Sequence, residues 1–188
     1  MSLPDAQKLY AIIEGTWPAS AKQALGPWTV RLDDSGSSRV SAATAELGFE
    51  ITDIPLAEEA MREAGQHPLF MIREGEEALD AALKARGYIV KDPVTMYAAA
   101  IDTIATARPP AVTSFEVWPP LAVQTELWAD GGIGAGRIAV MDRARAPKTT
   151  LLGRLNDRPA GAAYVGIAAD CAMIHALEIS SAHRRQGL

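Results

Sequence analysis

A chain of 188 residues has room for one large domain or two small ones, with an ample core. Its 48% hydrophobic and 22% charged residues are ordinary for a globular protein and argue against disorder or a fibrous class. A formal net charge of −5 argues against general nucleic-acid binding, which needs clustered Lys and Arg on phosphates.

Cys171 is the single cysteine, so no internal disulfide can form, and the reducing cytoplasm is the expected setting. Residues 1–5 lack a basic region followed by an apolar one, so no signal peptide is expected. No apolar run approaches membrane-spanning length, and no membrane partner is expected.

Residues 4–15 predict a helix, started by Pro4-Asp5, with Leu9, Ile12 and Ile13 on one face and Gly15 at its end. Residues 19–25, between Trp17-Pro18 and Gly26-Pro27, read as a second short helical piece. Residues 28–32 and 39–45 predict the two strands of a hairpin around the turn at 33–38. Pro55 opens an acidic helix over 56–64. A strand at 69–72 and a helix at 76–86, closed by Gly87, come next. The mostly apolar residues 88–101 predict one further strand, and 105–110 a linker.

Beyond the linker, residues 115–118 read as a strand and 119–129 as a helix opened by two prolines. Gly131 to Gly136 form a glycine-rich bend, and 137–145 a helix. Strands are expected at 148–155 and 160–168, around the turn Asn156-Asp157-Arg158-Pro159. Residues 172–179 form a last apolar run with the pattern of a buried strand. Small residues Ser180, Ser181 and Ala182 break it, and His183-Arg184-Arg185-Gln186-Gly187-Leu188 follow. A strand, a tight turn, basic residues and a glycine where a helix should begin make an arrangement for holding phosphate.

This C-terminal wording resembles the acetyl-CoA-binding motif of the GNAT acyltransferase superfamily, a strand followed by Gln/Arg-x-x-Gly-x-Gly/Ala. Arg184, Arg185, Gln186, Gly187 and Leu188 match its first five positions. The sixth would be residue 189, so the expectation is of a sequence cut short, or a fragment, within the pyrophosphate loop. The phrase E-E-A-L-D-A-A-L-K-A-R-G-Y resembles the closing helix of a GNAT domain. Residues 1–105 are therefore read as a degenerate GNAT-like half, and 111–188 as the N-terminal part of a catalytic one. The repeat is one of element order, not of matched residues.

The resemblance implies an α/β fold, a mixed and mostly antiparallel sheet flanked by helices, in two tandem halves. It implies transfer of an acetyl group from acetyl-CoA to an amine by direct attack, with main-chain N–H groups of the splayed strand polarising the thioester oxygen. Leu177, Glu178 and Ile179 would bind the pantetheine arm, and Arg184, Arg185, Gln186, Gly187 and Leu188 the pyrophosphate. A homodimer is compatible with the family. Its usual acid for the departing thiolate is a tyrosine on a later helix, beyond Leu188. Glu178 is the candidate base, because an amine must lose its proton to attack. The alternative is an incidental side chain on a main-chain-binding position.

Other features have plainer readings. G-G-I-G-A-G at 131–136 lacks the preceding strand of a dinucleotide site and reads as a loop between helices, or a substrate lid. His67, His175, His183 and Cys171 lack metal-ligand spacing, so no metal is expected. His175 alternates with Leu177 and Ile179 as a packed strand histidine, and His183 reads as a solvated turn residue. The four tryptophans read as core or interface. Two other classes remain open: a non-catalytic acyl-CoA-binding or regulatory module, and an unrelated binding domain with a chance Arg-x-x-Gly.

Overall fold

A computed structural model describes residues 3–145 and 147–188, and it forms two compact units. Met1 and Ser2, which enter the leader expectation, lie outside the described residues. One unit is Ala19–Tyr97. The other joins the chain up to Pro18 with Ala98–Leu188, so the units are drawn differently from the sequence boundaries at 105 and 111.

In the first of these units an antiparallel sheet runs β1 (Ala21–Leu25), β2 (Trp28–Leu32) and β3 (Ala43–Ala45). The helix expected at 19–25 is corrected to a strand. Gly26 at φ +55 and Pro27 close a two-residue turn, setting Leu25 opposite Trp28. Pairing with β2 thus overrides the helix preference of Ala-Lys-Gln-Ala-Leu, and the exposed β1 forms the sheet edge. The strand expected at 39–45 shrinks to β3 because Ser38–Val40 wind into a 3₁₀ turn.

Helix α2 (Ile54–Glu63) begins with Pro at its first turn, as expected, and α3 (Glu77–Ala85) ends before Gly87 at φ +87. Their apolar faces bury Ile54, Ala57, Met61, Leu79 and Leu83 against Trp28, Val30, Ala43 and Ala45. The strand expected at 69–72 is a single parallel bridge, Phe70 to Ala43. Residues 88–100 join no sheet, so the strand expected there is absent; Ile89, Val90, Val94 and Tyr97 are exposed.

The second unit holds α1 (Ala6–Thr16), the short α4 (Ile101–Ile104), β4 (Ser114–Val117), α5 (Ala122–Asp130), α6 (Ala135–Arg143), β5 (Lys148–Leu155), β6 (Arg158–Ala168) and β7 (Cys171–Ile179). Its four strands form one antiparallel sheet in sequence order. Asn156 and Asp157 at φ +50 and +61 make the turn between β5 and β6, the left-handed pair that matches strand twist.

Side chains alternate across these strands. One face carries Thr150, Tyr164 and Gly166, and α1 and α5 cover it. Gln124 of α5 bonds Thr150 at 3.0 Å. Helix α1 crosses where glycines let backbones approach. A Cβ on Gly166 would fall 2.9 Å from Thr16 Cβ, and one on Gly15 would fall 2.9 Å from Ala168 Cβ. The other face carries Leu151, Gly153, Gly161 and Ala163.

Candidate active site

Strand β7 is the last of its sheet, so its outer edge has no strand partner among the described residues. Its inner edge is irregular. Ala162 stands opposite Glu178 and Tyr164 opposite His175, so three residues of β7 advance against two of β6. This is a β-bulge, with Ala176 at φ +49. The fully buried Trp128 of α5 donates its indole N–H to the Ala176 carbonyl at 2.7 Å. A helix on one face of the sheet thereby fixes the distortion.

The bulge changes which way β7 side chains point. His175 is packed, as expected, but against α1, where its Nε2 lies 2.8 Å from Thr16 Oγ1 and its ring stacks on Trp17 at 5.0 Å. Leu177 and Ile179 line a cleft on the opposite face. The sequence pattern placed all three on one side, and the extra residue corrects that alternation. Thr16 also donates its hydroxyl to Ile12 O at 2.8 Å, so His175 Nε2 is the donor to Thr16.

The cleft has a volume of about 390 Å³ and is mainly apolar, with Leu151, Gly153, Gly161 and Ala163 as its floor and Arg154 and Pro110 beside it. Leu177, Ile179, Gly187 and Leu188 all line it, so four of the expected donor-site residues meet in one place. Leu188 lies over the glycines, with its Cδ1 3.1 Å from where a Cβ on Gly153 would be.

Beyond β7, Ser180 N bonds Ala160 O at 2.8 Å, and Ser181–His183 make one 3₁₀ turn. His183 is not a free solvated side chain; its Nδ1 lies 2.6 Å from Ser180 Oγ. Arg185 at φ +61 and Gly187 at φ +84 then bend the main chain sharply. The strand and turn of the expected motif are present, and residues 180–188 form no α-helix. Gln186 donates back to Ala182 O at 2.9 Å, and Arg185 is exposed outside the cleft lining.

Glu178 and Arg184, given separate roles by the sequence, bond to each other. Arg184 Nη2 lies 2.8 Å from Glu178 Oε1, and its Nε donates to Ile179 O at 3.0 Å. The Glu178 side chain is 15% exposed and Arg184 59%. Glu178 lies on the α5 side of the sheet, over Gly131; a Cβ there would fall 2.5 Å from Glu178 Cδ. Sequence reasoning missed Trp128 and Gly131 as parts of this site. An indole at the end of an apolar helix looks like core, and Gly131 looked like loop flexibility.

Among the described residues no group of three or more His, Cys, Asp or Glu could hold a metal ion. Nor is any helix among them long and apolar enough to cross a membrane.

The fold is similar to that of a GCN5-related N-acetyltransferase from Kribbella flavida, with a TM-score of 0.62 and 20% identity over 99% of this chain and 77% of that one. The mixed α/β architecture, with antiparallel sheets flanked by helices, matches the GNAT fold. No family model matches the chain, and no curated protein does.

Proposed function

We propose that the protein is a cytoplasmic N-acetyltransferase that moves an acetyl group from acetyl-CoA to an amine of a small molecule or peptide. One observation carries the reading: a bulged edge strand, pinned by Trp128, runs directly into the bend Arg184-Arg185-Gln186-Gly187-Leu188. Bound acetyl-CoA supplies a thioester carbonyl open to direct attack by an uncharged amine.

The residues present fit such a donor. The outer edge of β7, which pairs with no strand among the described residues, offers main-chain groups to an amide-bearing arm, in the manner of an added strand. Leu177, Glu178 and Ile179 would hold the pantetheine there, beside the apolar cleft. Arg184, Arg185, Gln186, Gly187 and Leu188 would hold the pyrophosphate, with Gly187 keeping the bend bare of side chain. N–H groups at the bulge would polarise the carbonyl oxygen. Glu178 would take the amine proton, directly or through water. In this reading residues 1–105 are a degenerate GNAT-like half, and 111–188 carry the chemistry.

The ion pair of Glu178 with Arg184 favours a second reading, an acyl-CoA-binding module without catalysis. Two measurements decide. Acetyl-CoA should raise the melting temperature of the protein, and Gly187→Val should abolish that rise, because a β-branched residue resists φ +84. A panel of amines should then release free CoA thiol. Stabilisation without thiol release across the panel leaves the binding module; no stabilisation of the wild type overturns both.

A further inference from the structure

We infer that Glu178 and Arg184 form a latch, which an anion at the 184–188 bend opens and which Gly131 makes room for. The inference rests on the donor-binding reading above and adds an order of events to it. The Arg184 guanidinium makes two bonds to β7, at Glu178 Oε1 and at Ile179 O. A phosphate group competes for the same planar donor fork. When Arg184 turns to the anion, Glu178 loses its partner and its carboxylate becomes available to an amine. Donor binding therefore precedes release of the Glu178 carboxylate.

Gly131 is the third part. It caps α5 at φ −84 and ψ 4, a conformation any residue adopts, so its backbone does not require glycine. The requirement is space: a Cβ would sit 2.5 to 2.6 Å from three atoms of the Glu178 side chain. The missing side chain lets Glu178 lie flat against the helix end, within reach of Arg184. Gly131 is thus a positioning residue acting through Glu178.

The test is titration calorimetry with inorganic pyrophosphate at low salt. Glu178→Gln frees Arg184 and should tighten pyrophosphate binding by about two- to fivefold, the range of an exposed ion pair. Gly131→Ala leaves the charge unchanged and should tighten binding in the same direction by pushing Glu178 off Arg184. In an Arg184→Gln background both gains should vanish, which separates a latch from the mere loss of a nearby negative charge. If wild type binds pyrophosphate and neither variant binds more tightly, or the gains persist without Arg184, the latch is overturned and the donor site stands. If neither pyrophosphate nor CoA binds any of these proteins, the donor site falls, and the latch with it.

Discussion

The indole of Trp128 reaches from α5 across the sheet face and holds the Ala176 carbonyl at 2.7 Å, at the one residue of β7 with a positive φ. Trp128 is fully buried and Ala176 half-buried, so solvent only partly makes up the bond's loss.

Trp128→Phe should separate this bond from packing, since it keeps most of the ring and removes the donor. Losing the bond to this half-buried carbonyl should cost about 1 kcal/mol, to be read from the shift in urea midpoint. If the bulge shapes the donor site, acetyl-CoA affinity in the variant should fall further than in a core variant of equal stability loss elsewhere in the unit. Equal affinities in the two would mean that Trp128 serves stability alone.

Tyr164 offers the opposite experiment. It is fully buried among Trp17, Trp118 and His175, and among the described residues its hydroxyl has no hydrogen-bond partner. Burial pushes its ionisation up to about 12, with the nearby Asp142 charge adding to the effect. Tyr164→Phe removes a desolvated group and should leave stability unchanged or raise it by about 1 kcal/mol. In a spectrophotometric titration the wild type should show Tyr164 ionising near pH 12, and the variant should lose that step.

Glu58, like Asp33, contributes to the acid behaviour of the Ala19–Tyr97 unit. Burial alone would raise its carboxyl, but hydrogen bonds from Arg86, Tyr88 and Arg62 outweigh that and hold it below its usual value. A carboxyl depressed in the folded state contributes stability above its unfolded value, and that stability is lost as pH falls through the folded value. The unit should therefore weaken below about pH 4.5, the ordinary value for glutamate. Glu58→Gln should be less stable at pH 7 and lose less on acidification, measured by chemical denaturation at pH 7 and pH 3. At high pH the signs reverse. Tyr88, raised to about 12 mainly by burial, contributes stability that is lost as pH rises from 10 towards 12.

Local signals in the sequence carried far. Asn156-Asp157 announced the hairpin of β5 and β6, Gly87 the end of α3, and Pro55 the start of α2. The apolar run before Ser180 was legible as β7. What failed was decided by distant partners. Ala21–Leu25 is a strand because β2 lies beside it, and no property of Ala-Lys-Gln-Ala-Leu says so. The bulge depends on Trp128, which is 48 residues away from Ala176, and one inserted residue turns His175 from Leu177. The pairing of Glu178 with Arg184 depends on the 3₁₀ turn Ser181–His183 between them and on the room at Gly131, and spacing shows neither. Residues 88–100 carry the composition of a strand, yet a strand needs an edge to pair with.

The placement of α1 has a consequence for biosynthesis. Thr16 bonds His175, 159 positions further along the chain, whereas Ala19–Tyr97 is a continuous segment with its own core. On the ribosome, at roughly 5–20 residues per second, α1 emerges about ten to thirty seconds before the strands it covers. In that interval its Ile12 and Ile13 have no sheet to rest on, while Ala19–Tyr97 already has all of its own partners. The middle of the chain is therefore set to fold first, and its first helix is among the last parts to find a home.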